Sequence, residues 1–220
     1  MAKRYVSNKD ESARMFRRDW MEMFTHMHPA TPLVLYVPPT LFFLYQAMVA
    51  PQMTLGAGVF LFLAGAFVWT LTEYLLHRFA FHYEPRTEWG KKVHFVFHGV
   101  HHDYPNDSRR LVMAPVVSIP LAILFYGLFH FLLGPVRVLA FFPGFLMGYI
   151  CYDTIHYATH HFPMRNPIGL WLRHHHLRHH YQDDTYGYGV SSPLWDYVFR
   201  TNHRPKPQAQ PASNRTETVS

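Results

Sequence analysis

Four stretches almost free of charge constrain this chain more than any other feature. Leu33–Ala50 is apolar but carries Pro38-Pro39. Thr54–Leu76 has one charge, Glu73, near its end. Leu111–Leu133 has none, and Val138–Tyr157 has only Asp153, again near its end. Roughly 20 apolar residues cross a bilayer, so the last three qualify and the first is marginal. Pro51-Gln52-Met53 and Gly134-Pro135 break the chain between them, which pairs the spans as two tight hairpins. The expectation is an all-α integral membrane protein with four transmembrane helices (about 33–50, 54–76, 111–133 and 138–157) and the remaining helices capping one end. The alternative, buried helices of a soluble protein, asks 220 residues to cover three long apolar runs.

Charge placement tests this topology. Two hairpins put the N-terminus, the loop 77–110 and the C-terminal part on one side. Of 20 lysines and arginines, six precede the first span, six lie in that loop and seven follow the fourth, leaving Arg137 alone opposite. Basic residues favour the cytoplasmic face, so that side is expected to be cytoplasmic. The net charge of +6 thus reads as topology and attraction to membrane lipids, not as a nucleic-acid footprint. A single cysteine, Cys151, excludes a disulfide scaffold and a thiolate-ligated zinc or iron–sulfur centre.

Residues 1–30 read as an interfacial segment. Phe16, Trp20, Met23, Phe24 and Met27 fall at helical spacing opposite Arg14, Arg17, Arg18, Asp19 and Glu22, the pattern of a helix lying on a membrane surface. No cleavage site follows an apolar run, so this is not a signal peptide. Residues 31–204 form the main domain, and 205–220, rich in Pro, Gln, Ser and Thr, read as a disordered tail.

The 18 histidines are clustered. His77 and His82 follow the second span. His94, His98, His101 and His102 lie in the loop. His156, His160 and His161 end the fourth span, and His174, His175, His176, His179 and His180 follow. Helical residues three or four apart share a face. His98/His102, His156/His160 and His176/His179 therefore each reach into one site. The adjacent pairs His101-His102 and His179-His180 diverge by about 100°, and His77 and His82, five apart, also diverge on an ideal helix. Ten histidines exceed what one ion can hold, so two metals are the economical reading. His26, His28, His130 and His203 are isolated, whereas His94, His161, His174 and His175 flank the motifs.

Imidazole suits zinc, copper, iron and nickel. The chain has no thiolate pair, no H-E-x-x-H and no nucleophile elbow. A transporter needs ligands part-way through the bilayer, where the central spans offer only His130. A site at the membrane edge suits work on the polar end of a lipid whose tail lies among the spans. An iron pair that activates dioxygen most needs such an arrangement. Two other classes remain open: a zinc-binding or transport protein, predicting metal flux without dioxygen use, and a di-metal lipid hydrolase, predicting product without reductant.

At these residues the sequence resembles the membrane fatty acid hydroxylase superfamily, which includes sterol desaturases, C-4 methyl oxidases and carotenoid hydroxylases. The motifs run H-x-x-x-x-H (His77, His82), H-x-x-H-H (His98, His101, His102), H-x-x-x-H (His156, His160) and H-x-x-H-H (His176, His179, His180). Within it, His98-Gly-Val-His-His, Ser108-Arg-Arg-Leu-Val-Met-Ala-Pro115 and Gly187-Tyr-Gly-Val-Ser-Ser-Pro-Leu-Trp-Asp-Tyr-Val-Phe199 are most similar to the fatty acid 2-hydroxylases. The resemblance implies these ten histidines holding two iron ions, with zinc able to substitute in purified protein, and dioxygen-dependent hydroxylation of a fatty acyl lipid at C-2. Sterol or carotenoid substrates are the nearest rival. Many eukaryotic relatives carry a fused cytochrome of the b type. Only about 32 residues precede the first span, so a separate electron donor is expected, ferredoxin- or cytochrome-type with a reductase. Glu73, four residues before His77, and Asp153, three before His156, are expected either to accept a ligand's other ring N–H or to pair with Arg or Lys at the membrane edge; Asp103 and Asp196 are weaker candidates. No ER-retention tail is present, which favours a bacterial plasma membrane, or the ER membrane if the source is eukaryotic.

Overall fold

The computed structural model describes residues 5–203; the expected disordered tail lies outside them. The described residues form helices and no strands. In order they are α1 (Asp19–Met23), α2 (Thr31–Val49), α3 (Leu55–Leu75), α4 (Glu88–His94), α5 (Val100–Asp103), α6 (Pro115–His161), α7 (Pro167–Tyr181) and α8 (Leu194–Val198). Two π-helical turns are inserted, Leu76–Phe81 at the end of α3 and Phe95–Gly99 between α4 and α5. Local chemistry explains the starts. The side chains of Thr54, Thr87 and Asn166 cap α3, α4 and α7 by accepting from the amides of Ala57, Gly90 and Gly169.

Three helices are long and apolar enough to cross a membrane: Thr31–Val49, Leu55–Phe81 and Pro115–His161. The outer faces of the bundle are apolar where water would be costly; Met48, Leu55 and Phe131 are each more than 80% exposed. The chain is a membrane protein. A straight helix of 47 residues would extend about 70 Å, more than twice the hydrocarbon layer. α6 is not straight. Gly134 has φ 79° and ψ 172°, a conformation that favours glycine, and Pro135 starts the next arm. The arms 115–133 and 135–161 fold back on one another, with the Phe129 ring 4.8 Å from that of Phe141 and Phe125 5.0 Å from Phe145.

The structure revises three boundaries. Pro38-Pro39 do not interrupt α2, which runs continuously through them. Residues 111–114 are not helical, and the fourth apolar stretch continues as helix to His161, carrying His156 and His160 on its last turns. α1 is only five residues long, and Phe16 and Met27 lie outside it. Here the Glu22 carboxylate accepts the amides of Met15 and Phe16, and Arg110 holds Glu22 at 2.5 Å. The same guanidinium reaches Thr25 Oγ1 and the carbonyl of Ala13. Tertiary contacts thus strap this segment across the 107–114 loop, so it is not one surface helix.

Packing also departs from two tight hairpins. α2 and α3 touch only slightly, and each instead packs on α6. α3 approaches the 135–161 arm through small residues: a methyl at Gly65 would overlap the Phe141 carbonyl, and one at Gly144 the Phe62 carbonyl. α2 docks through Tyr36, whose hydroxyl donates to Ser118 Oγ at 2.8 Å and whose ring meets Tyr149 edge-on at 5.0 Å.

Candidate metal centre

The ten motif histidines gather where α3 and α6 end, and they sort into two groups. His77, His82, His98, His102 and His179 form one; His101, His156, His160, His176 and His180 form the other. Within each group the facing ring nitrogens all lie within 4.8 Å of one another. In the first, Nε2–Nε2 separations are 3.2 Å (His82–His98), 3.0 Å (His98–His102) and 3.0 Å (His82–His179). In the second they are 2.9 Å (His101–His156), 2.9 Å (His160–His176) and 3.1 Å (His176–His180). An ion with metal–nitrogen bonds of about 2.1 Å puts neighbouring octahedral ligands about 3 Å apart and opposite ones about 4.2 Å apart. Both groups fit such an ion. His77 Nε2 is buried without a hydrogen-bond partner among the described residues, as a nitrogen reserved for a metal would be.

Helix periodicity accounts for most of this sorting. His98/His102 and His156/His160 each share a group, as their spacing predicts, and His101-His102 and His179-His180 are split between groups. His176 pairs with His180, not with His179, because i and i+4 align better than i and i+3 here. His77 and His82 fall in one group, against the ideal-helix reading. The turn Leu76–Phe81 is π-helical, with the His82 amide donating to the His77 carbonyl at 3.1 Å, and a five-residue step then returns to the same face. The groups abut: the rings of His102 and His180 stack at 4.4 Å.

The flanking histidines do other work. His94 Nε2 bonds the Phe81 carbonyl at 2.5 Å, His161 stacks on Tyr157, and His175 Nε2 lies 3.0 Å from an Asp196 carboxylate oxygen. Glu73 and Asp153 do not accept from an imidazole in any hydrogen bond of the described residues. Glu73 takes the amides of Val190 and Ser191 at 2.6 and 2.8 Å and the Ser191 hydroxyl; Asp153 takes the Met113 amide at 3.3 Å. The ring partners are backbone carbonyls instead. His77 Nδ1 bonds Tyr188 at 2.5 Å and His179 Nδ1 bonds Tyr186 at 2.7 Å. Asp196, wholly buried, accepts the amides of Tyr188 and Gly189 and the Thr201 hydroxyl. Burial pushes its carboxyl up, but these bonds and His175 more than offset that and hold it below the usual range. Sequence reading missed the carbonyls, for which the only signal was Gly187 and Gly189 in that loop.

Burial keeps the rings neutral, with neighbouring imidazoles adding to the effect. His98, His101, His176, His179 and His180 are held well below the ordinary histidine value, and His102 is lowered to about 3. Neutral imidazole is the form that ligates metal. An apolar cavity of about 490 Å³ opens beside them, with His98, His101, His156 and Asp153 in its wall and Phe16, Trp20 and Phe24 of the strapped N-terminal segment across it. A bundle of membrane helices with two adjoining clusters of neutral imidazoles beside an apolar cavity defines a membrane protein built to bind metal next to a lipid-sized space.

A fatty acid hydroxylase family model matches residues 62–201. Dihydroceramide fatty acyl 2-hydroxylase FAH1 of Arabidopsis thaliana is 34% identical over 191 residues, covering 87% of this chain and 80% of the relative. Ceramide very long chain fatty acid hydroxylase SCS7 of Saccharomyces cerevisiae is 45% identical over 64% of this chain and 38% of its own length. Among solved structures, full-length scs7p, with only its hydroxylase domain visible, superposes with a TM-score of 0.80 at 38% identity, covering 86% of this chain and 72% of that one. The chain belongs to the fatty acid hydroxylase family.

Proposed function

We propose that this protein is a membrane monooxygenase that hydroxylates the acyl chain of a lipid at C-2, using dioxygen and electrons from a separate donor. The carrying observation is the pair of five-imidazole groups beside an apolar cavity in a chain of this family. The names of the relatives, fatty acyl and ceramide hydroxylases, favour acyl lipids over sterols or carotenoids.

In this reading His77, His82, His98, His102 and His179 hold one iron ion, and His101, His156, His160, His176 and His180 hold a second. Iron there would supply the redox chemistry that, with dioxygen, two external electrons and two protons, replaces a C–H bond by C–OH and releases the second oxygen atom as water. The chain's own residues do the rest. The imidazoles bind through neutral nitrogens, and burial excludes water. The cavity orients an acyl chain so that its carbonyl end lies beside His98 and His101. Ten neutral ligands leave the metals' charge uncompensated, unlike carboxylate-bridged di-iron bundles. The two arms of α6 with α2 and α3 make four membrane crossings, and the sorting of basic residues sets the histidine-bearing cap in the cytoplasm.

Lipid mass spectrometry on cells with and without the gene tests this. The expected result is acyl lipids one oxygen atom heavier, with the oxygen on C-2, only where the gene is present. No such species, or oxygen at another carbon, overturns the assignment.

A further inference from the structure

The two imidazole groups differ in how their rings are held. In the first, two of the five rings bond through Nδ1 to backbone carbonyls, those of Tyr188 and Tyr186. In the second, Nδ1 of His160, His176 and His180 is buried with no hydrogen-bond partner among the described residues, and only His156 has a main-chain group, that of Leu111, near its ring. A carbonyl accepting the Nδ1 proton fixes the tautomer and makes Nε2 a more basic ligand. The carbonyls come from one short loop, and that loop is fixed from several sides. Asp196 takes the amides of Tyr188 and Gly189 at 2.9 and 2.8 Å, and is itself completed by Thr201 and His175. Glu73, one helical turn before His77, takes those of Val190 and Ser191. Gly187 turns the chain with φ 74°, its amide on the Thr201 carbonyl at 2.8 Å.

We propose that Asp196 is a positioning residue that makes the two centres unequal: through the loop it holds, it polarises His77 and His179, so the ion among His77, His82, His98, His102 and His179 is bound more tightly than its neighbour. The inference rests on the two-metal reading above and assigns different tasks to the two carboxylates. Asp196 orients the carbonyls, and Glu73 anchors the far end of the same loop.

Metal-stripped full-length protein in detergent, titrated with cobalt(II) and followed by calorimetry and visible absorption, tests it. Wild type is expected to take two ions with separable affinities. Asp196→Asn cannot accept both loop amides and should weaken the tighter ion by about 10- to 100-fold, changing its absorption band and leaving the other ion's constant in place. Ser191→Ala, which loosens only Glu73's hold on the loop, should act in the same direction more mildly, and it carries the test if Asp196→Asn does not fold. Equal weakening of both ions, or no change in a folded variant, overturns the proposal. Fewer than two ions in wild type overturns the two-metal reading instead.

Discussion

An imidazole that ligates through one nitrogen must satisfy the other, and the answer differs from ring to ring. The ten ligand candidates were legible as residues because their spacing and number are informative without any fold. Their partners were not. Carboxylates near the ligands were the natural expectation, yet His77 and His179 use main-chain carbonyls, which every residue offers and which sequence cannot single out. At this scale the expectation is that His101→Ala and His179→Ala each abolish hydroxylation, by more than the roughly 100-fold attached to losing a ring's partner, while the protein still enters the membrane. His94→Ala, whose ring bonds Phe81 and belongs to neither group, should retain measurable product. Product per enzyme, measured with membrane content and bound metal, checks all three; full activity in a metal-depleted His179→Ala would refute the ligand assignment.

Helical elements carry the ten histidines, and their phase decides which group each joins. The i, i+4 pairs and the splitting of adjacent histidines were readable from a period of 3.6. The His77/His82 pair was not, because a π-helical turn changes the period over six residues and has no compositional mark. Inserting one alanine after Ala80 should place His82 six residues beyond His77 and rotate it more than about 100° away from that ring, in either helical phase. The expected outcome is a protein of normal membrane content that loses metal and at least about 100-fold in activity, whereas Ala80→Gly keeps both. The N-terminal segment failed for the opposite reason. Its apolar period is genuine, but a part-buried Arg110–Glu22 pair bends it over the cavity, and no local pattern announces a partner 88 residues away. Removing Glu22 leaves the Arg110 guanidinium, among the described residues, with only the longer carboxylate contact to Asp107, at 3.4 Å. Glu22→Ala should therefore cost about 1–3 kcal/mol and raise the lipid KM more than it lowers kcat, in a steady-state assay with varied substrate.

Across the whole molecule, the apolar runs and the sorting of basic residues made the membrane class legible, and the Gly134-Pro135 break made the fold-back of α6 legible. Which helices touch was not, because it depends on glycines whose role shows only when two backbones meet. Gly144→Val should destabilise the bundle by about 1–3 kcal/mol, seen as a lower thermal midpoint in detergent. Gly127→Val, where an added methyl meets nothing, should leave the midpoint unchanged. Because α2 leans on α6 and scarcely on α3, the short link Ala50–Thr54 is a tether that transmits no shape. A chain severed there, its two pieces made together in one cell, should reassemble by complementation into an active enzyme, recovering the product of the intact gene.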